Sequence, residues 1–158
     1  MDNYYLNVII KMEKKLQDKI KLFRVLHGVY NVYLSTSGQL FVEEPNNFTG
    51  KSLGWYKNGK LSYEENYKNG KPHGKCLGWF ESGQLRSEGN YKNGEAHGKC
   101  LAWYETGQLS YEEYWENGER HGKFLYWYES GHLRYEENYK NGERHGKFLC
   151  WHENGKLR

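Results

Sequence analysis

Five tryptophans, Trp55, Trp79, Trp103, Trp127 and Trp151, stand 24 residues apart. A fixed period of that length means a stacked array of similar small units, and it outranks any local motif as a guide to the fold. Written at this period, the chain aligns from Gly50 onward. The units read GKSLGWYKNGKLSYEENYKNGKPH, GKCLGWFESGQLRSEGNYKNGEAH, GKCLAWYETGQLSYEEYWENGERH and GKFLYWYESGHLRYEENYKNGERH, then a truncated GKFLCWHENGKLR. Upstream, residues 28–49 read as a degenerate copy, with Tyr33 near the tryptophan column and Gly38-Gln39-Leu40 at the turn.

Comparing the units with one another separates fixed columns from free ones. The fixed columns are the tryptophans, the leucines two residues before them (Leu77, Leu101, Leu125), and Glu64, Glu88, Glu112 and Glu136. To these are added His73, His97, His121 and His145, each followed by Gly, and the turn glycines Gly70, Gly94, Gly118 and Gly142. Between fixed columns the apolar residues alternate, with no 3.6-residue stripe, which is strand periodicity. Each unit carries two turn signals and is therefore a β-hairpin.

The first turn is Lys57-Asn58-Gly59, Glu81-Ser82-Gly83, Glu105-Thr106-Gly107 or Glu129-Ser130-Gly131. A two-residue type I′ loop would force φ > 0 on Thr106, which its β-branch resists. A three-residue loop, a type I turn followed by left-handed Gly, is expected instead. Counted from that loop, Trp79 falls opposite Leu85 and Leu77 opposite Ser87. The apolar columns then share one face, with Cys76, Gly78 and Phe80 on the other beside Arg86, Glu88 and Asn90. The second connection, Asn69-Gly70-Lys71-Pro72-His73-Gly74 and its copies, joins one hairpin to the next, and its two glycines mark backbone positions a side chain would strain.

The expected fold is all-β: an elongated antiparallel meander of repeated 24-residue hairpins, of about nine to eleven strands, preceded by a short N-terminal amphipathic helix. The array is expected over residues 28–158, with the degenerate unit at 28–49, units from 50, 74, 98 and 122, and the truncated unit from 146. Residues 1–27 form the helix and a lead-in. There Tyr5, Ile9, Met12, Leu16, Ile20 and Phe23 make a stripe at helical steps, and six Lys/Arg face two Asp/Glu between positions 8 and 27. Such a segment caps an array end or lies on an anionic membrane surface. Lys21 to Leu26 also reads as a first strand.

Composition narrows the function classes. The chain of 158 residues is 17% aromatic, with 15 Tyr and 6 Trp, and its formal net charge is only +3. Disordered chains are poor in aromatics and strongly charged, so wholesale disorder is excluded. The near-balance of 23 basic and 20 acidic residues leaves no electrostatic footprint for nucleic acid. No apolar run approaches a membrane span, and the first residues lack the pattern of a secretory signal, so an intracellular, cytoplasmic setting is expected.

The run YKNGKPHGKCLGWFESGQLRSEGNYKNGEAHG closely resembles the MORN repeat, in the variant form found in bacterial YwqK-like antitoxin proteins. The residues that carry the likeness are the Tyr-x-Asn-Gly-x-x-His-Gly segments at 67–74, 91–98 and 139–146, the aromatic pair Trp79-Phe80, and the Gly-x-Leu-x-x-Glu segment at 83–88. In the third unit Trp115 stands in place of the Tyr. The resemblance covers roughly residues 50–158. It implies successive hairpins in an elongated sheet and a role in interaction and scaffolding rather than catalysis. It also implies a protein partner, such as a toxin, and a membrane role recorded in the family's name.

The site-like residues read the same way. Equivalent histidines in successive hairpins lie two strands, roughly 9.5 Å, apart, too far to share a zinc ion. Glu88 beside His97 could be read as an acid/base pair, but the pairing recurs in every unit, whereas catalysis needs a unique environment. The aromatic columns could stack sugars or a quaternary ammonium. Burial of the tryptophans against leucines of the neighbouring hairpin is the simpler reading. No catalytic residue, metal or cofactor is expected. The expected function is a non-enzymatic protein-interaction or scaffold module, an antitoxin-like neutralising partner among the possibilities, acting through its repeated face or an exposed edge strand that also suits self-association. Association with phospholipid is the alternative.

Cys76 and Cys100 occupy one column in successive units, so their Cα atoms should lie beyond the roughly 7 Å reach of a disulfide. Intact-mass analysis after mild oxidation should find the monomer without this crosslink; ready formation of it would contradict the stacking.

Overall fold

A computed structural model describes residues 21–25, 28–34 and 40–43, and 47–158 throughout. The expected N-terminal helix lies outside these residues. The described residues contain sixteen strands in a single antiparallel sheet and no helix. In chain order they are β1 (Lys21–Val25), β2 (Gly28–Leu34), β3 (Leu40–Glu43), β4 (Gly50–Trp55), β5 (Leu61–Lys68), β6 (Lys71–Pro72), β7 (Gly74–Trp79) and β8 (Leu85–Lys92). They continue with β9 (Glu95–Ala96), β10 (Gly98–Trp103), β11 (Leu109–Glu116), β12 (Glu119–Arg120), β13 (Gly122–Trp127), β14 (Leu133–Lys140), β15 (Glu143–Arg144) and β16 (Leu149–Cys150). The count exceeds nine to eleven because each second connection contributes a two-residue strand of its own and Lys21–Val25 adds another before the array. Lys21–Val25 forms the strand its sequence allowed, paired with β2.

Each unit is two nested hairpins. The first turn is the three-residue loop: Gly59 N–H donates to Tyr56 O (2.9 Å), Tyr56 N–H to Lys60 O (2.8 Å), and Gly59 has φ +82. Ser82 and Thr106 keep negative φ, since the only non-glycine residues with positive φ among the described ones are Asn69, Asn93, Asn117 and Asn141. Those four asparagines open the second turns. With φ of 52 at Asn69 and 73 at Gly70, the Asn-Gly pair makes the two-residue type I′ turn that suits a tight hairpin. Gly94 N–H then donates to Pro72 O (2.8 Å) in the preceding unit, and Gly70, Gly118 and Gly142 repeat that bond to Phe48, Ala96 and Arg120.

The register corrects the expected facing. Trp79 does lie opposite Leu85, but Gly78 lies opposite Ser87 and Leu77 opposite Glu88, not Ser87. A bulge on the returning strand inserts one residue, Arg86, and Ser62, Ser110 and Arg134 occupy the same place in the other units. One inserted residue moves every later side chain to the other face. Leu77 therefore shares its face with Lys75, Glu88 and Asn90, while Cys76, Gly78, Ser87, Gly89 and Tyr91 lie together on the opposite one. Across the sheet, leucines and glutamates alternate in direct opposition: Leu53, Glu64, Leu77, Glu88, Leu101, Glu112, Leu125, Glu136 and Leu149.

A single layer buries little. The buried apolar side chains among the described residues are Ala102, Phe124 and Tyr139, with Phe124 fully enclosed at 0% exposure. Phe124 lies 4.9 Å from the Tyr139 ring and 5.8 Å from Trp115, centroid to centroid. In the same column the earlier units carry Cys76 and Cys100, both half-buried.

Two outcomes follow. Phe124→Ala should cost about 3–5 kcal/mol, the range for emptying a buried aromatic site, and Cys100→Ala much less. Gly94→Val should cost about 1–3 kcal/mol, because Gly94 holds φ +95. Thermal melts of the three variants decide; a Phe124→Ala melting point equal to that of Cys100→Ala would contradict this packing.

Candidate interaction surface

The recurrent glutamate column is paired with lysine. Lys51–Glu64, Lys75–Glu88, Lys99–Glu112 and Lys123–Glu136 form ion pairs of 2.7 to 2.9 Å, diagonal across each hairpin. The lysines are about half exposed, so each pair contributes roughly 0.2–1 kcal/mol. Glu88 is thus not brought to His97. The histidine backbone N–H groups close the second connection, His97 to Asn90 O (2.9 Å) and His73 to Asn66 O (2.7 Å).

The imidazoles meet varied surroundings. His73 Nδ1 accepts from Asn93 N–H at 3.4 Å, the place where Thr49 Oγ1 accepts from Asn69 N–H at 2.8 Å one unit earlier. His97 Nδ1 is buried without a partner, and His121 Nδ1 lies 3.5 Å from Glu116. A cavity of about 290 Å³ lies there between successive turns, lined by Glu116, Asn117, Glu119, His121 and Asn141. Among the described residues no three His, Cys, Asp or Glu side chains gather as a metal site would need.

The tryptophans are half-buried, opposite leucines of their own hairpins: Trp55 with Leu61, Trp79 with Leu85, Trp103 with Leu109, Trp127 with Leu133. Their carbonyls do further work between hairpins. Tyr56 Oη donates to Trp79 O (2.6 Å), Tyr104 Oη to Trp127 O (2.8 Å) and Tyr128 Oη to Trp151 O (3.0 Å).

The feature that column reasoning missed is an aromatic–arginine cluster on the face of Cys76 and Tyr91, confined to the last units. Arg120 lies over three rings, Trp115 at 5.7 Å, Phe124 at 5.3 Å and Tyr139 at 5.0 Å, and donates to Tyr139 Oη (2.8 Å). Arg144 donates to Glu137 (2.9 Å) and sits 5.5 Å from Phe148, which is 51% exposed and stacks on Tyr135. Tyr126 Oη donates to Glu113 (2.6 Å), which also accepts from Trp115 Nε1 (3.0 Å). The signal for it is in the columns: Arg120 and Arg144 replace Pro72 and Ala96, and Phe124 and Phe148 replace cysteine.

This is a quasi-one-dimensional array of β-hairpins in which each unit bonds to its neighbours. A family model described as the MORN repeat variant matches residues 48–69, 72–93, 96–117, 120–141 and 144–158, and the chain belongs to that family. A search of curated proteins finds no match. Among the described residues no helix is long and apolar enough to cross a membrane.

Burial first, then the bond to Glu113 and that carboxylate's charge, push the Tyr126 phenol well above the usual tyrosine range. The folded state keeps this proton where the unfolded chain releases it near pH 10. Its stabilisation is therefore complete below about pH 10 and is lost as pH rises above that. Tyr126→Phe should flatten part of the alkaline loss of stability, read from urea midpoints between pH 7 and 11; an unchanged alkaline slope would count against the assignment.

Proposed function

We propose that the chain is a non-enzymatic interaction module that binds another protein through the face carrying Arg144, Tyr135 and Phe148. The observation that carries this reading is the aromatic–arginine cluster itself. Tyr, Trp and Arg dominate the residues that supply binding energy in protein interfaces. Here such residues stand on a single-layer sheet, with Phe148 51% exposed and Arg144 stacked beside it. The recurrent Glu, Lys and Tyr columns are engaged in ion pairs and carbonyl bonds that repeat from unit to unit, which supports reading them as structural rather than chemical. A neutralising partner of a toxin, and a scaffold that holds two proteins together, are the two forms of this role suggested by the family resemblance. Residence inside the cell belongs to the same proposal.

The test is capture of the partner from the native host, followed by titration of the two purified proteins. A stoichiometric complex with micromolar or tighter affinity is expected. Phe148→Ala combined with Arg144→Ala should weaken it at least tenfold while leaving the melting point within a few degrees. Undiminished affinity in the double variant would remove this face from the interface. Binding of anionic vesicles by the intact chain, with no protein complex, would favour the lipid alternative instead.

A further inference from the structure

The 24-residue units from Gly50 onward meet at four joints that pair the same two positions, whereas β3 meets β4 at one pair, Leu40 with Trp55. Glu64 and Tyr63 face Leu77 and Gly78; Glu88 and Ser87 face Leu101 and Ala102; Glu112 and Tyr111 face Leu125 and Tyr126; Glu136 and Tyr135 face Leu149 and Cys150. Two residue pairs per joint contrast with six inside each hairpin. The joints are the weak direction of the sheet, and what distinguishes one from another is the side chains that cross it.

Between β5 and β7 the crossing bonds are numerous. Tyr56 Oη reaches Trp79 O, Asn58 Nδ2 reaches Glu81 O (3.1 Å), Lys60 Nζ reaches Ser82 O, Asn66 Nδ2 reaches Lys75 O, and His73 Nδ1 accepts from Asn93. Between β11 and β13 the joint is crossed by Tyr104 Oη to Trp127 O, Tyr126 Oη to Glu113, Arg120 to Tyr139, and the Tyr111–Tyr126 and Trp115–Phe124 ring pairs. Between β14 and β16 it is crossed by Tyr128 Oη to Trp151 O and the Tyr135–Phe148 stack.

The joint between β8 and β10 has none of these. Phe80 stands where the other units carry Tyr56, Tyr104 and Tyr128, so no hydroxyl reaches Trp103 O. His97 Nδ1, in the column of His73, is buried and unbonded. The face-to-face residues there are Ser87 and Ala102, too small for a ring contact. Spanning it besides the ladder are Gly118 N–H donating to Ala96 O (2.9 Å), the Asn90 backbone N–H donating to the weakly accepting Cys100 Sγ, and the Arg86 charge acting on the Tyr111 phenol.

We propose that the β8–β10 joint is a built-in breaking point, at which the array opens reversibly into two blocks, residues up to 97 and residues from 98 onward. In a nearest-neighbour array, stability is a sum over units and joints, so among the full units the least cross-linked joint sets the easiest sub-global opening. Opening there frees the facing edges of β8 and β10, each of which can accept an added strand.

Native-state hydrogen exchange on the full chain tests this, because all joints are read in one molecule. Amides closing the β8–β10 ladder should exchange at least tenfold faster than those closing β11–β13, in low denaturant and without global unfolding. Phe80→Tyr, which supplies the missing hydroxyl, should slow the β8–β10 amides about two- to tenfold, the range of one typical hydrogen bond. Tyr104→Phe should speed the β11–β13 amides by a similar factor. Equal protection at the two joints, or exchange of every amide in one global event, would overturn the proposal. So would a Phe80→Tyr variant that folds with unchanged exchange at β8–β10 while Tyr104→Phe accelerates its own joint.

Discussion

One inserted residue per hairpin decides what every other side chain in this sheet does. The bulge at Ser62, Arg86, Ser110 and Arg134 sets Leu77 against Glu88 instead of Ser87. With Leu and Glu opposed, the lysine two residues before each leucine lies diagonal to a carboxylate and pairs with it. The same shift brings Tyr135, Glu137 and Tyr139 onto the face of Phe124 and Tyr126, where the aromatic–arginine cluster forms. Remove the bulge, and both the ion-pair ladder and the cluster lose their partners together.

Because the sheet has no second layer among the described residues, stability comes from neighbouring strands. Full enclosure is rare; Phe124 achieves it only because Trp115, Tyr139 and Arg120 converge on it. Elsewhere tyrosine hydroxyls reach across to half-buried tryptophan carbonyls, tying hairpin to hairpin. The half-exposed rings left by this arrangement supply the surface on which the proposed interaction rests.

Near-identical units make their exceptions conspicuous. Phe80 lacks the hydroxyl of its column, and Gly89 lacks the carboxylate carried by Glu65, Glu113 and Glu137. A Cβ placed on Gly89 would come within 3.2 Å of Cys100 Sγ, closer than ordinary van der Waals contact. The substitutions of the last units, Arg120, Arg144, Phe124 and Phe148, do the reverse and thicken one face. The units thus share a backbone and differ in the side chains that cross from one to the next.

The sequence by itself determined the period, the hairpin as the repeating unit and the first-turn geometry, because these depend on local chemistry: a β-branched Thr106 cannot take positive φ, and Gly59 and Gly107 can. The pairing of Trp79 with Leu85 was legible for the same reason, being one step from the turn. The faces beyond it were not. A bulge leaves no composition signal, since Ser62, Arg86, Ser110 and Arg134 share no chemistry, and its position is fixed only when the strand pairs with both neighbours. The arginine cluster and the bare β8–β10 joint were hidden likewise, because they are made by residues from adjacent units meeting in space. Only the assembled sheet decides which columns touch, and there a one-residue shift in register exchanges one set of partners for another.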